Sequence, residues 1–364
     1  MKIRAALIKE PNSLYVIEEI DLEEPHADEM LVKVAASGYC RTDELIRTQA
    51  MPVRLPAVLG HEGCGIVEKV GTDVREFKPG DRVAFSYGSC GKCASCTEGK
   101  PTLCDMFETI NFGGVQADGT SRLSQNGMSI PTLFGQSSFA EYAVVNERGA
   151  VMIPDDVPLE ITGPLGCGIQ TGAGAVLNRL KPRPGSAIAV FGCGGVGLSA
   201  VMAAKISNCG TIVAVDRVQS RLEMALELGA THVVNTSATP DAPAEIKKIT
   251  GRGADCSVDA SGNDVCLKMA LNCTRSGSPT VVVGGGGDAV LNVEMDIMGH
   301  AKSLLGVVEG DSVPKLFIPE LLRHYKAGRF PFDKLITYYD FDDINTAMLE
   351  STGGKAIKAV LRMK

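Results

Sequence analysis

No stretch of this 364-residue chain approaches the roughly 18–20 uninterrupted apolar residues that a membrane-spanning helix requires. Its opening, Met1 to Glu10, is too short and too charged for a secretory signal and alternates like a first strand. The cytoplasm is the expected location. There is no excess of positive charge: 36 Lys and Arg face 43 Asp and Glu, a net of −7. That balance argues against a general nucleic-acid or anionic-membrane surface. Tryptophan is absent, internal repeats are absent, and the 41 glycines follow no G-x-y period, which excludes a collagen-like chain. Cysteine is plentiful, with twelve residues. In a reducing compartment these need a reason other than disulfides.

At about 150 residues per domain, the length predicts two domains. Residues 1–168 read as a mostly β, barrel-like domain, with short β-branched runs at Met30–Ala35, Gly65–Val70, Arg82–Phe85 and Ala140–Val145 broken by Gly and Pro. Residues 105–138 are rich in Gly, Ser, Thr, Asn and Gln and read as a long functional loop, a lid or a subunit contact. Residues 169–308 alternate strand and helix. Strands are expected at Ala187–Phe191, Thr211–Val215, Asp255–Asp259 and Thr280–Val283, with helices at Val196–Ser207 and Ser220–Leu228. Such alternation implies a doubly wound parallel sheet with helices on both faces. Beyond this the text turns irregular, with a helix expected at Lys315–Lys326. The fold class is therefore α/β.

Gly192-Cys193-Gly194-Gly195-Val196-Gly197 is a G-x-G-x-x-G between an apolar strand and a helix, with Asp216 at the end of the next strand. That context is what a dinucleotide-binding turn needs. Gly192 lets the chain turn, Gly194 lets backbone approach a pyrophosphate at the helix N-terminus, and Gly197 lets helix and strand pack closely. The Asp216 carboxylate would accept from ribose hydroxyls and repel a 2′-phosphate, favouring NAD over NADP, although Arg217 follows it directly. Cys90-x2-Cys93-x2-Cys96-x7-Cys104 places four thiolates in one short loop. A structural zinc ion suits them, and an iron–sulfur cluster is the competing occupant. A closed four-cysteine site has no open coordination position, so its role would be stability.

A third set is scattered: Cys40, His61 with Glu62, and Cys167. Two cysteines and a histidine are one known catalytic zinc set. Spacing alone does not join them, because a lone buried cysteine is more often a small core hydrophobe.

Gly60-His61-Glu62-Gly63 through Val70-Gly71, followed by Lys78-Pro79-Gly80-Asp81-Arg82-Val83, resembles the zinc signature of the zinc-dependent medium-chain alcohol dehydrogenases. The four-cysteine lobe and the glycine turn follow in that family's order. Finer features resemble its aryl-alcohol branch: Gly163 to Gly174, Gly135 to Ala140, Gly306 to Asp311, Phe317 to Leu321 and Gly328 to Asp333. Geraniol-type dehydrogenases share several of them.

The resemblance implies a GroES-like catalytic domain over 1–168, an NAD-binding Rossmann domain over 169–308, and a return of 309–364 to the first. It implies catalytic zinc ligands Cys40, His61 and Cys167, with Glu62 a near or transient ligand and Asp43 orienting His61. It places Thr42 on the substrate oxygen, and Arg41 and Lys358 on the cofactor pyrophosphate. Thr171 and Val196 would pack on the nicotinamide, Val283 would meet its carboxamide, and Arg221 would lie by the adenosine ribose. The liver-type pattern has a proton-relaying histidine five residues after the first cysteine ligand; here that residue is Leu45. Met51, Tyr87 and Val283 are the expected substrate-pocket residues. The implied activity is reversible oxidation of an aromatic or allylic primary alcohol by NAD, in a homodimer or homotetramer carrying two zinc ions per chain. Its rivals are a geraniol-type enzyme, a zinc-free enone or quinone reductase, and a noncatalytic protein on the same fold.

Overall fold

A run such as Ala187-Ile188-Ala189-Val190-Phe191 is apolar on both faces, and a strand of that kind is stable only when covered on both sides. The computed structural model describes residues 1–363 and shows that arrangement. In spatial order, a six-stranded sheet runs His232–Asn235, Thr211–Asp216, Ala187–Phe191, Cys256–Asp259, Pro279–Val282 and Ser303–Gly306, with every pairing parallel. Helices Gly195–Ile206, Gln219–Leu228, Ala242–Thr250 and Asp264–Asn272 connect the strands. Asp241 caps the third of these by accepting from Ala244 N (2.9 Å), and Asn263 caps the fourth by accepting from Cys266 N (3.2 Å). Strand order reverses between Ala187–Phe191 and Cys256–Asp259, the place where open α/β sheets bind ligands beyond their carboxyl ends. This sheet belongs to a unit comprising Gly168–Ser312 and Glu320–Phe332.

The other unit comprises Met1–Cys167, Val313–Pro319 and Asp333–Lys364. Two largely antiparallel sheets give it a nearly closed barrel. One holds seven strands built on Glu29–Gly38, which pairs with Glu62–Val70, with Tyr142–Asn146 and with Lys358–Arg362. The other holds five, in the order Ala57–Val58, Lys2–Ile8, Val16–Leu22, Leu123–Gln125, Met128–Ile130. The last strand of the chain is thus laid beside Ala36–Gly38, with Val360 opposite Gly38, while Glu62 faces Gly38 from the other side.

Residues 105–138 differ from expectation. They form a helix, Phe107–Phe112, and a hairpin, Leu123–Gln125 with Met128–Ile130, that completes the five-stranded sheet. Several of their polar side chains, Asn111, Gln116, Arg122 and Gln136 among them, are buried. Asn111 accepts from Gly88 N (2.8 Å) and donates to Phe107 O (2.8 Å), and Arg122 makes two 2.8 Å bonds to Glu29. Part of the polar composition here serves internal hydrogen bonding within regular structure.

Candidate metal centres and dinucleotide site

Cys40 caps the short helix Arg41–Arg47, and His61 and Glu62 stand where the chain enters the strand Glu62–Val70. Cys167 follows the tight turn Gly163–Gly166, which lies directly on the neighbouring strands: a Cβ on Gly166 would come 1.8 Å from Phe85 O. Only glycine lets the turn approach closely enough to deliver Cys167. The four ligand atoms of Cys40, His61, Glu62 and Cys167 all lie within 4.8 Å of one another, and the two sulfurs are 4.0 Å apart. Zinc–sulfur bonds of about 2.3 Å in a tetrahedron set the sulfurs about 3.8 Å apart. His61 Nδ1 lies 3.1 Å from Asp43 Oδ1, and the same carboxylate accepts from Gly60 N (3.0 Å) and Cys40 N (2.9 Å). With Nδ1–H given to Asp43, Nε2 presents a lone pair; it is buried and has no hydrogen-bond partner. A buried, orphaned imidazole nitrogen among two thiols and a carboxylate fits a metal ion. Hydrogen bonding from Cys167, with the charge of Lys358, pulls the Cys40 thiol well below its usual range against the opposing effect of burial.

The lobe at Cys90, Cys93, Cys96 and Cys104 also brings four ligand atoms within 4.8 Å. Bridging iron and sulfide would hold the thiolates farther apart, so this spacing fits a single zinc ion. Backbone N–H groups already face the sulfurs: Cys90 N to Cys104 Sγ (3.2 Å), Cys93 N to Cys90 Sγ (3.4 Å) and Met106 N to Cys104 Sγ (3.4 Å). The Lys92 N–H contributes most to lowering the Cys90 thiol, to about 6, while burial pushes Cys96 up to about 12 and raises Cys104.

Lys358, expected on the cofactor pyrophosphate, is held by the metal-site residue Glu62. Its ammonium is buried and bonds both oxygens of Glu62, at 2.8 and 2.9 Å, and Tyr39 O at 3.4 Å. These contacts use its three donors. Burial disfavours both charges: it pushes the Glu62 carboxyl up to about 7 against the pull of Lys358, while the Glu62 charge keeps Lys358 protonated. The pair is possible because residue 38 is glycine: a Cβ there would stand 2.1 Å from Glu62 Oε2. Sequence reasoning passed over Gly38, since nothing local marks it. Arg41 is exposed at the start of its helix, and Thr42 Oγ1 lies 4.0 Å from Cys40 Sγ. Met51 and Tyr87 belong to one apolar cluster of this unit; Val283 stands in the other unit.

In the parallel-sheet unit, Gly192 has φ +86° and closes the turn, and a Cβ on Gly197 would meet Gly192 O at 1.7 Å. Beside Gly194, which caps the twelve-residue helix Gly195–Ile206, there is open space. An open cradle at a helix N-terminus suits a pyrophosphate. Asp216 Oδ2 accepts from Cys193 N (2.7 Å), and Oδ1 accepts from Arg217 N (2.7 Å) and Val218 N (2.9 Å). The carboxylate therefore also holds the turn to the strand end. Arg217 is exposed, and Arg221 is half-buried on Gln219–Leu228. The helix Gly168–Gly174 carrying Thr171 packs on the helix carrying Val196, and Val283 N bonds Asp259 O (2.9 Å).

Two family models match the chain: the alcohol dehydrogenase GroES-like domain over residues 26–155 and the zinc-binding dehydrogenase over residues 195–327. Geraniol dehydrogenase from Castellaniella defragrans is 44% identical over 362 residues, 98% of this chain and 97% of that protein. The crystal structure of benzyl alcohol dehydrogenase from Acinetobacter calcoaceticus superposes with a TM-score of 0.95 at 44% identity, covering 100% of both chains. An alcohol dehydrogenase zinc-binding domain protein from Burkholderia ambifaria gives 0.96 at 45% identity, over 100% of this chain and 99% of the other. Fold, cysteine sites and glycine turn together define a zinc-binding dehydrogenase. The chain belongs to the zinc-dependent medium-chain alcohol dehydrogenase family and is a zinc alcohol dehydrogenase of small-molecule substrates.

Proposed function

We propose that the protein oxidises aromatic or allylic primary alcohols to aldehydes with NAD as acceptor. The observation that carries the reading is the buried, unpartnered His61 Nε2 facing Cys40, Cys167 and Glu62. Cys40, His61 and Cys167 would hold the ion, with Glu62 kept beside it by Lys358. Zinc bound there supplies the Lewis acidity that makes a neighbouring hydroxyl acidic near neutral pH. Asp43 fixes the His61 tautomer, and the Thr42 hydroxyl would relay the substrate proton, accepting it while passing its own on towards solvent. Arg41, with Lys358, serves the pyrophosphate. Thr171, Val196 and Val283 serve the nicotinamide, and Asp216, with Arg217 and Arg221 nearby, serves the adenosine ribose. Asp216 supports NAD over NADP through its position at the strand end.

The substrate class is supported by the benzyl alcohol and geraniol relatives, whose names give one aromatic and one allylic alcohol. Met51 and Tyr87 would contribute an apolar wall. Intact ligand sets disfavour a zinc-free enone or quinone reductase. A homodimer or homotetramer formed through the parallel-sheet unit is supported by its bare edge strand, Ser303–Gly306, and by exposed Val290, Val293, Met295 and Met298 before it. No helix among the described residues is long and apolar enough to cross a membrane, and the cytoplasm is the proposed location.

Initial rates with benzyl, cinnamyl, geranyl and short aliphatic alcohols, each with NAD and NADP, test this reading. Conjugated alcohols with NAD should give the highest kcat/KM. A preference for ethanol, or equal use of NADP, would overturn it.

A further inference from the structure

Leu133 to Phe139 wraps the approach to His61, and its backbone is unusual. Phe134 has φ +53°, a conformation that bulky side chains rarely adopt outside special sites. Gly135 and Ser137 are also left-handed, at +60° and +50°. The result of the Phe134 conformation is a ring laid against the His61 imidazole, with centroids 4.6 Å apart and planes 31° apart. Phe112 meets the same ring edge-on at 5.1 Å.

The next side chain grips the backbone on both sides of Glu62. Gln136 Nε2 donates to His61 O (3.0 Å) and to Ser86 O (3.3 Å), and its Oε1 accepts from Gly63 N (3.2 Å). Ser137 Oγ donates to Val58 O (2.7 Å), while Ser138 N and Phe139 N donate to Gly60 O and Leu59 O. Phe134 and Gln136 are each 4% exposed, so these bonds form away from solvent. Both residues also border a cavity of about 360 Å³ that Met106 and Ile110 line as well. The left-handed backbone of Phe134 sets its ring on the imidazole.

We propose that Phe134 and Gln136 are positioning residues of the catalytic metal site. Asp43 fixes His61 at Nδ1. Phe134 blocks rotation of the ring out of its plane, and Gln136 fixes the backbone that carries it. Together they keep Nε2 aimed at the sulfurs of Cys40 and Cys167. This inference rests on the reading of Cys40, His61 and Cys167 as a zinc site. Outer partners of a metal-bound histidine are typically worth about 10- to 100-fold in metal affinity.

The test is zinc release to a colorimetric chelator from the purified zinc-loaded protein, together with the visible spectrum of its cobalt(II) form. The variants are Phe134→Gly, which relieves the backbone, Phe134→Leu, which keeps bulk, and Gln136→Met, which keeps length without hydrogen bonds. The wild type should show two release phases, and His61→Ala should lack one of them. Phe134→Gly and Gln136→Met should speed that same phase about 10- to 100-fold, leave the Cys90 lobe's phase unchanged, and alter the cobalt spectrum. Phe134→Leu should fall between; it carries the test alone should the glycine variant misfold. Unchanged release and spectrum in the folded variants would overturn the proposal, as would equal acceleration of both phases, which would mark a general loss of stability. A wild type with a single phase, or His61→Ala retaining both, would instead overturn the zinc-site reading beneath it.

Discussion

Gly38→Ala isolates the energetic role of the buried Glu62–Lys358 pair. Gly38 does not have a positive φ, so its backbone accepts alanine. The added Cβ would stand 2.1 Å from Glu62 Oε2, about 1.4 Å inside the roughly 3.5 Å optimum for nonbonded atoms. Glu62 is fully buried, and both its oxygens are held by Lys358. Relief therefore requires the carboxylate to leave the ammonium. Separating a buried ion pair costs about 3–5 kcal/mol, because each charge loses its partner where water cannot replace it. At about 2–4 °C per kcal/mol for a domain of this size, the melting midpoint should fall by about 6–20 °C. Urea denaturation of Gly38→Ala, Glu62→Ala and the double variant completes the cycle. In the Glu62→Ala background only a 3.1 Å approach to the residue-62 Cβ remains, so the alanine at 38 should cost less than about 1 kcal/mol. The same large cost in both backgrounds, or a small cost in both, would refute the reasoning.

Asp216→Gly should lower the NAD/NADP ratio of kcat/KM about 10- to 100-fold, since a hydrogen bond to a charged group is worth about 1.5–3 kcal/mol; an unchanged ratio would contradict the role given to Asp216. The variant should also loosen the glycine turn, because three backbone N–H groups lose their acceptor, which amide exchange at Cys193 would report. Leu45, half-buried on the helix Arg41–Arg47, cannot carry a proton, so single-turnover rates in the native enzyme should show no histidine-like pKa from this position. Leu45→His should change the pH profile and solvent isotope effect if proton transfer limits the step; an identical profile would mean that water already completes the path. Burial raises the Asp118 pKa, but hydrogen bonds from Arg122 and Thr120 outweigh it and bring it from 3.8 to about 2. Its stabilising contribution is therefore full above about pH 5 and lost as pH falls towards 2. For so exposed a carboxylate it should be under about 1 kcal/mol: Asp118→Asn should melt slightly earlier at pH 7 and with the native protein at pH 2.

The glycine turn between strand and helix was legible because its requirements are local. Strand, glycines, helix and acid occur within thirty residues, and each glycine has its own steric reason. The four-cysteine lobe was legible for the same reason. The Cys40, His61, Glu62 and Cys167 cluster could be assembled only by resemblance, since its members are far apart in the chain and are brought together by a helix cap, a strand start and a tight turn. The Glu62–Lys358 pair spans 296 positions: Glu62 faces Gly38 across one ladder, and Lys358 begins the strand that sets Val360 opposite Gly38 across the other. Residues 105–138 misled for a different reason. Asn111, Gln116, Arg122 and Gln136 are polar residues whose side chains satisfy buried groups, and composition cannot distinguish such residues from solvated ones. Phe134 gave no sequence signal, since a left-handed phenylalanine is recognised only in coordinates.

Metal analysis of the purified wild type beside Cys167→Ser and Cys96→Ser tests most directly whether one chain carries an open zinc site for chemistry and a closed one for stability. The wild type should hold two zinc ions per chain. Cys167→Ser should retain one ion, a folded chain and almost no alcohol oxidation. Cys96→Ser should lose the other ion and melt earlier, because structural zinc contributes folding free energy. One zinc per wild-type chain, visible iron absorbance, or full activity in Cys167→Ser would contradict the assignment.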